Sequence, residues 1–161
     1  METEFVSVIV CHHKGNFVDR LVESLKQSVN VRYEVIVVTS QPNTTFKDTN
    51  TLFCDSGPAS KRNFGAKEAN SPYFAFLDDD TEVTPSFLAE MVKTIKLQKV
   101  GMVYGKTLNM ERKNRFDGAG SFITSSGFLW AREENGIEDK GQYERYEPIF
   151  AGKGAAMMLR K

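Results

Sequence analysis

Three features are scarce in this sequence: an excess of one charge, long apolar runs and cysteine. Lys plus Arg and Asp plus Glu number 21 each, so the chain lacks the basic excess of a nucleic-acid-binding protein, and we expect no nucleic-acid partner. No apolar run approaches the roughly 20 residues that span a bilayer. The first ten residues are acidic where a signal peptide is basic. These absences predict a soluble, cytoplasmic chain.

Cysteine and histidine are limited to Cys11, Cys54, His12 and His13. A zinc site or a redox pair would need closer spacing or more ligands. Disulfides are rare in the cytosol, so we interpret both cysteines as reduced thiols. The two histidines are too few to form a metal cluster on their own.

The pattern of apolar residues predicts alternating strands and helices within one domain. The 161 residues are 40% hydrophobic and 26% charged, which is ordinary for a globular protein with a substantial core. The predicted strands are 4–10, 33–38, 50–54, 73–77, 101–109 and 154–160. The predicted helices cover 16–28, 58–69 and a third segment with Thr84 as N-cap and Pro85 as first helical residue.

This alternation predicts an α/β fold, a mostly parallel sheet with helices on both faces. Ligands of such sheets bind beyond the carboxyl ends of the strands. Polar segments follow four of the predicted strands: 11–15, 39–43, 55–63 and 78–80. We expect these segments to meet at one rim of the sheet.

Three consecutive aspartates, Asp78, Asp79 and Asp80, follow the apolar segment 73–77. Adjacent carboxylates repel each other, and partial burial raises the cost of ionising them. If the backbone stays extended, the side chains of Asp78 and Asp80 point to the same side, and two carboxylates on one side suit Mg²⁺ or Mn²⁺. Such ions take one or two protein carboxylates and complete their shell with water and phosphate oxygens. The alternative is a charged turn that leads into the next helix.

Basic and aromatic side chains at the same rim extend the hypothesis. Lys61 and Arg62 lie near the start of the second predicted helix, and a helix N-terminus with a cation makes an anion site. Solvated surface charge is the favoured interpretation for Lys61. His13 either stacks on a nucleobase or is a polar loop residue.

Taken together, these segments resemble family 2 glycosyltransferases of the GT-A fold. The resemblance rests on VSVIVCHHKGNFVDRLVESLKQS, YEVIVV, GPASKRNFGAKEANSPYFAFLDDD and GAAMMLRK, and its most specific part is KRNFGAKEANSPYFAFLDDD. It implies a metal-dependent, inverting transfer of a sugar from a nucleotide-diphosphate donor to an acceptor hydroxyl. The acceptor could be a saccharide, a lipid-linked molecule or another hydroxyl compound.

The resemblance also implies roles for individual residues. Residues 1–107 would form the nucleotide-sugar-binding half, and 108–161 would begin the acceptor-side half. Asp78 or Asp79 would contact the nucleoside, and His13 would replace an aromatic that stacks on the base. The expected nucleotide-sugar site is Cys11, His13, Thr39, Asp55, Arg62, Asp78 and Asp79, and the expected metal ligands are Asp80 and Asp78.

The sequence departs from the family pattern in two places. After the second strand the family has an acidic pair, one member of which contacts the base, whereas this chain has Thr39 and Ser40, with Asp55 as a stand-in. The family's catalytic base lies C-terminal to the segment resembling GAAMMLRK, and this chain ends at Lys161. We therefore expect a fragment with an incomplete sheet, prone to self-association, and leave open a peripheral membrane association of the full-length protein. If the base lies within the chain, the candidates are Asp117, Glu133, Glu134, Glu138 and Asp139.

Several rival functions fit less well. A phosphatase of the haloacid dehalogenase kind has Thr or Val where Glu82 stands, and its DxD follows the first strand of the sheet. A calcium loop requires Gly where Val83 stands, and no G-x-G-x-x-G follows the first strand. The remaining alternative is a non-catalytic nucleotide-sugar-binding module or scaffold.

Trp130 lies in the Gly-rich segment 117–133. Its side chain either stacks on a sugar ring or packs against other side chains of the protein.

Overall fold

In the computed structural model, which describes residues 3–132 and 136–161, the chain folds around one large sheet. The strands are β1 Phe5–His12, β2 Arg32–Thr39, β3 Asn50–Phe53, β4 Tyr73–Asp78, β5 Met102–Tyr104, β6 Thr107–Leu108, β7 Phe116–Gly118, β8 Ser121–Ile123, β9 Leu129–Ala131 and β10 Ala156–Arg160. The helices are α1 Val18–Leu25, α2 Pro58–Glu68 and α3 Phe87–Ile95.

The large sheet has six strands in the order β3-β2-β1-β4-β10-β5. Strand β1 runs parallel to β2 and β4, and β2 runs parallel to β3. Strand β10 is antiparallel to both of its neighbours, β4 and β5. The prediction of a mostly parallel sheet is confirmed, with one antiparallel strand inserted near its edge.

Two buried layers cover the faces of the sheet. Successive side chains of a strand point to opposite faces, so Val6, Val8 and Val10 face one side and Ile9 the other. The first side packs against the apolar stripes of α1 and α3. The second side packs against α2, so helices lie on both faces, as predicted.

Close packing of α2 against the sheet depends on Gly65. A Cβ atom added there would lie 2.6 Å from Ile9 Cγ2 and 3.1 Å from Val38 Cγ2. Both distances are shorter than ordinary carbon contacts. The absence of a side chain at Gly65 thus lets α2 approach β1 and β2. The first turn of α2 then lies at the ends of these two strands.

Two predicted elements were wrong in detail. Helix α3 begins at Phe87 instead of Pro85, and Ser86 precedes it without a side-chain capping bond. The carbonyl of Pro85 accepts the Val29 N–H at 3.0 Å, and the carbonyl of Thr84 accepts the Phe87 N–H at 3.0 Å. These bonds make 84–87 a turn that is tied to the segment after α1.

The predicted strand 101–109 divides into β5 and β6. The break is at Gly105, whose N–H bonds the carbonyl of Ala156 at 3.0 Å, and where an added Cβ would lie 2.7 Å from the Phe87 ring. Strand β6 pairs with β7, and β8 pairs with β9, in two small antiparallel sheets. No helix in the described ranges 3–132 and 136–161 is long and apolar enough to cross a bilayer.

Candidate functional site

The carboxyl ends of β1, β2 and β4 form one rim together with the first turn of α2. Parallel pairing aligns these ends, since His12 lies opposite Thr39, and Cys11 lies opposite both Val38 and Asp78. We call this edge the rim. The polar segments after these strands therefore lie close together, which gives the predicted site residues a common location.

An ion pair joins α2 to the end of β4. Arg62 Nη2 lies 3.0 Å from Asp78 Oδ1, and both side chains are half-buried. The Asp78 N–H bonds the carbonyl of Ala155 at 3.2 Å, and a Cβ added to Gly154 would lie 3.3 Å from Arg62 Nη2. The guanidinium is thus held between the aspartate and the segment that enters β10.

The three aspartates do not continue as an extended strand. Strand β4 ends at Asp78, whose carbonyl accepts the Thr81 N–H at 3.2 Å and the Thr81 hydroxyl at 2.7 Å. Asp79 and Asp80 therefore lie in a turn. The assumption that Asp78 and Asp80 share one side of an extended backbone was wrong, because these bonds close a turn at this point.

Burial raises the pKa of the Asp79 carboxyl above its usual value, and the neighbouring charges of Asp78 and Asp80 add to this rise. The charge of His12 and a hydrogen bond from the His13 backbone act in the opposite direction. Asp80 is exposed and forms no ion pair with any residue described in the structure. The three carboxylates thus have three different surroundings.

The oxygen atoms at the rim fit a hard cation only if a substrate completes its shell. Within the described residues, no three His, Cys, Asp or Glu side chains lie close enough together to hold a metal ion. Mg²⁺ and Mn²⁺ prefer oxygen ligands and usually keep water or phosphate in their shell. The exposed carboxylate of Asp80 and the second oxygen of Asp78 are the protein ligands available for this.

Lys61 is buried, so its interpretation as solvated surface charge was wrong. Its side chain is only 4% exposed, and Nζ donates to the carbonyl of His12 at 2.7 Å and to Ser40 Oγ at 3.1 Å. The reason is its place on α2, one turn before Gly65 and on the same face, which packs against the sheet. Its ammonium group therefore lies at the ends of β1 and β2.

His12 and Thr39 occupy the other side of the rim, and both are buried. His12 Nδ1 bonds Thr39 Oγ1 at 3.0 Å, and Nε2 bonds the carbonyl of Gly15 at 3.1 Å. Its ring meets Phe46 edge-on, with centroids 4.8 Å apart. Thr39 Oγ1 also accepts the Gln41 N–H at 3.1 Å. The hydroxyl of Thr39, a predicted nucleotide contact, is thus engaged within the protein.

The remaining predicted nucleotide contacts, His13, Cys11 and Asp55, are exposed or half-buried. His13 is exposed, and its carbonyl accepts Gln41 Nε2 at 3.4 Å. Cys11 Sγ lies 3.7 Å from the carbonyl of Pro58, and burial raises the pKa of this thiol. Asp55 is exposed just beyond β3, next to Cys54. Both cysteines are free thiols in the structure, as predicted.

The segment 105–155 carries the candidate catalytic bases and Trp130. Asp117 Oδ2 accepts the Thr107 hydroxyl at 3.2 Å, and its carbonyl accepts Lys153 Nζ at 2.7 Å. Asp139 forms an ion pair with Lys106 at 2.8 Å, which lowers the pKa of its carboxyl.

The other candidates of this segment have fewer contacts. Glu138 is exposed, and its carboxylate lies 3.9 Å from Lys140 Nζ. Glu133 and Glu134 lie outside the described residues. Trp130 is exposed on β9. The segment thus presents an exposed aromatic and paired carboxylates.

Two features of the rim could have been found from the sequence. His12 continues the alternation of Val6, Val8 and Val10, so the buried face of β1 predicts a buried histidine at 12 and an exposed one at 13. Lys61 stands four residues before Gly65, which places both on one helical face. The Arg62–Asp78 pair has no such local signal.

Comparisons with known proteins agree with the fold. The sequence model of Glycosyl transferase family 2 matches residues 53–161. Among curated proteins, none matches the sequence significantly.

Two solved structures have a similar fold. The mannosyltransferase PcManGT from Pyrobaculum calidifontis, in complex with GDP-Man and Mn²⁺, is 21% identical at a TM-score of 0.55, over 63% of this chain and 35% of that one. The structure of S. aureus TarS 1–349 is 19% identical at a TM-score of 0.56, over 75% of this chain and 42% of that one. The chain thus spans less than half the length of either protein.

Proposed function

The chain belongs to glycosyl transferase family 2, and we propose that its rim binds a nucleotide-diphosphate sugar whose sugar passes to an acceptor hydroxyl. The observation that carries this proposal is the meeting of Arg62 with Asp78, followed directly by two more aspartates, at the carboxyl ends of parallel strands. Such ends bind ligands in open α/β sheets. All of these residues fall within the range that the family model matches.

A divalent cation, Mg²⁺ or Mn²⁺, belongs to the proposed site. It would neutralise the charge that develops on the departing nucleoside diphosphate. Asp80 is its proposed main ligand, since this carboxylate is exposed and free of ion pairs with the described residues. Asp78 is the second proposed ligand, because Arg62 bonds only one of its two oxygens. The Mn²⁺ and GDP-Man of the P. calidifontis structure support this choice of metal and donor class.

Other residues of the rim would hold the nucleoside. Arg62 presents a planar, permanently charged group that suits phosphate or base oxygens. His13 is exposed at the end of β1 and can stack on a base. Asp79, whose carboxylate has a hydrogen bond from the His13 backbone, would accept a hydrogen bond from a ribose hydroxyl. Cys11 and Asp55 complete the proposed lining.

We propose an inverting transfer. The acceptor oxygen would form a bond to the anomeric carbon while the bond from that carbon to the diphosphate oxygen breaks, and a carboxylate would take the proton of the hydroxyl. The described residues offer no carboxylate that we assign to this step.

Calorimetry with UDP and GDP tests the proposal, in the presence of Mn²⁺ or of EDTA. We expect binding with Mn²⁺ and its loss with EDTA. Asp80→Asn keeps the side-chain shape and removes the charge, so it should weaken the Mn²⁺-dependent binding about tenfold or more and leave the fold intact. Glu111→Gln, an exposed change outside the rim, is the matched control. Equal affinity with Mn²⁺ and EDTA would contradict the metal assignment.

A further inference from the structure

Exposed apolar side chains are concentrated in one part of the surface. Of the thirteen large hydrophobic side chains that are exposed among the described residues, eight lie in the segment 105–155, although most of the chain lies outside it. Residues 118–131 include no charged residue, whereas 26% of the whole chain is charged. At roughly 200 Å² for a whole aromatic side chain, Phe128, Trp130 and Phe150 alone expose about 400 Å². Contiguous apolar patches above a few hundred Å² mark interaction surfaces.

These side chains form one continuous surface, from the edge of the large sheet to the hairpin of β8 and β9. Met102, on the last strand of the large sheet, and Phe150 line a common pocket of about 70 Å³. The Phe150 N–H bonds the carbonyl of Ser121 at 2.9 Å, which places Phe150 beside β8. Leu129 and Trp130 follow on β9, which pairs with β8. We define the apolar face by its exposed members, Met102, Ile123, Phe128, Leu129, Trp130 and Phe150.

The base of the hairpin is held in place by buried contacts. Arg132 follows β9 and is buried, and its N–H bonds the carbonyl of Gly120 at 2.8 Å. Its guanidinium pairs with Glu147 at 3.0 Å and lies 4.5 Å from the ring centre of Phe122. A surface that is ordered before it binds loses less conformational entropy on binding. The hairpin therefore presents its apolar side chains as a prepared surface.

The total surface of the chain is larger than that of a compact monomer. Its accessible surface is 9878 Å², whereas a folded monomer of 18.1 kDa exposes about 8,100 Å². The excess is roughly 1,800 Å², and each copy in an obligate homodimer buries about 1,000–2,500 Å². The excess area thus matches what one homodimer interface removes from water.

The charges of the chain fit a second copy better than an anionic membrane. The formal net charge is zero, so two copies do not repel each other as strongly charged proteins do. Attachment to an anionic membrane relies on free basic side chains beside the apolar patch. Within the described part of the segment 105–155, five basic side chains are paired with carboxylates: Lys106, Lys113, Arg132, Lys140 and Lys153. Trp, Phe and Met, which are prominent in the apolar face, are enriched at protein–protein interfaces.

We propose that two copies of this chain bury their apolar faces against each other about a two-fold axis. Such an interface uses the same surface on both copies, so a projecting part of one copy meets a recessed part of the other. The apolar face has both parts, because every residue from 123 to 130 is exposed in the hairpin and the pocket at Met102 and Phe150 is recessed. The hairpin of each copy then packs at the pocket of the other. This inference does not depend on the proposed function.

Analytical ultracentrifugation of the 161-residue chain tests the inference. The wild type should sediment with twice the 18.1 kDa mass of one chain. Samples from about 0.1 to 100 µM cover the weaker part of the affinity range of such interfaces. Trp130 is the only tryptophan of the chain, so its fluorescence reports directly on the apolar face. Its emission should shift to longer wavelength whenever the copies separate, because the indole then enters water.

Two variants and a matched control identify the surface. Met102→Lys places a charge at the pocket, and Trp130→Ser removes the largest side chain of the hairpin. Each should weaken the dimer at least tenfold, as the loss of a central interface residue does, and Met102→Lys should also shift the Trp130 emission. Phe53→Ser is the control, since Phe53 is 56% exposed on β3 at the opposite edge of the sheet. It should leave the mass and the emission unchanged. Thermal unfolding of dilute samples checks that each variant keeps its fold.

Four results would overturn the inference. The first is a chain that stays monomeric at the highest concentration. The second is a monomer whose Trp130 emission shifts to shorter wavelength with phosphatidylcholine vesicles, because a lipid surface then covers the face. The third is a dimer that either Met102→Lys or Trp130→Ser leaves unchanged, which would place the interface elsewhere. The fourth is open-ended association to masses above that of a dimer, since a two-fold contact closes with two copies.

Discussion

The rim and the segment 105–155 are built by different means. The rim belongs to strands that are buried on both faces, and its side chains are placed by register and by the close contact of α2 with β1. The segment 105–155 has two small sheets of two strands each and several large exposed apolar side chains. Among these are Phe128, Leu129 and Trp130, which are 73%, 61% and 63% exposed.

The rim and the segment 105–155 also differ in the partners of their basic side chains. At the rim, Arg62 pairs with Asp78, and Lys61 bonds neutral oxygens. In the segment 105–155, Lys106 bonds both Asp139 and Glu144, and Arg132 bonds Glu147. The comparison teaches that packing of α2 against the sheet positions the rim, whereas ion pairs among its own residues hold the segment 105–155 together.

The largest loss of stability should come from Gly65→Ala, which disturbs the packing of α2 against the sheet. Its Cβ would lie 2.6 Å from Ile9 Cγ2, so α2 must shift. Overpacking of this kind costs about 1–3 kcal/mol. Urea unfolding should show this loss, and nucleotide binding should weaken as Lys61 and Arg62 move.

Gly101→Ala is the matched control, because nothing lies within 4 Å of a Cβ added at Gly101. It should change stability by a few tenths of a kcal/mol at most. If Gly65→Ala and Gly101→Ala behave alike, close helix packing does not position the rim.

A smaller and local effect is expected for Arg132→Met. Arg132 is buried, pairs with Glu147 at 3.0 Å and lies over the rings of Phe122 and Tyr143 at 4.5 and 4.7 Å. Loss of these contacts should speed amide hydrogen exchange in β8 and β9, by an amount that corresponds to about 1–2 kcal/mol.

Exchange in β1 and β4 should stay unchanged in Arg132→Met, because the partners of the Arg132 side chain, Glu147, Phe122 and Tyr143, all lie outside the rim. Faster exchange in β1 would show that the two regions unfold together and would remove the contrast between them. Lys113→Met, an exposed change in the same segment, serves as the control.

The smallest effect is a pH dependence of opposite sign in the two regions. Burial raises the pKa of Asp79, so its ionisation costs stability at neutral pH, and this cost fades as the pH falls through the raised pKa towards 3.8. The hydrogen bond from Lys106 lowers the pKa of Asp139, so its contribution is present above pH 3.8 and is lost as the pH falls below it.

Unfolding measured at pH 7 and at pH 3 tests this difference. Asp79→Asn should raise the free energy of unfolding at pH 7, and Asp139→Asn should lower it at pH 7. Both differences should shrink towards pH 3, because the folded protein takes up a proton at Asp79 and the unfolded chain takes one up at Asp139. A pH-independent effect of Asp79→Asn would mean that its charge is not the cause.

Local patterns in the sequence were sufficient for the architecture and for the meeting of polar residues at the rim. Alternation in β1 and the stripes of α1 and α3 predicted a sheet between helices. The three aspartates after β4 and the basic residues of α2 predicted a polar rim. The division of the chain into residues 1–107 and 108–161 stays a prediction. Strand β10 belongs to the second of these halves, and it lies between β4 and β5, which belong to the first.

Contacts between distant residues could not be predicted in this way. The start of α3 depends on a bond from Val29, and the turn at 78–81 on the bonds that Asp78 accepts from Thr81. The partners of the rim residues come from separate elements: Arg62 with Asp78, and Lys61 with His12 and Ser40. Periodicity reports which face of an element is apolar, but it carries no information about the groups that meet a polar side chain.

The sequence by itself determined which segments become strands and helices, because burial of apolar side chains follows the period of each element. It also determined that carboxylates follow β4. Only the tertiary structure decided which groups meet the Lys61 ammonium and that Asp80 is exposed. The physical reason is that the solvation and pairing of a charge depend on every element packed around it. Gly65 brings α2 close enough to the sheet to bury the Lys61 ammonium, whereas the turn after β4 leaves the Asp80 carboxylate in water.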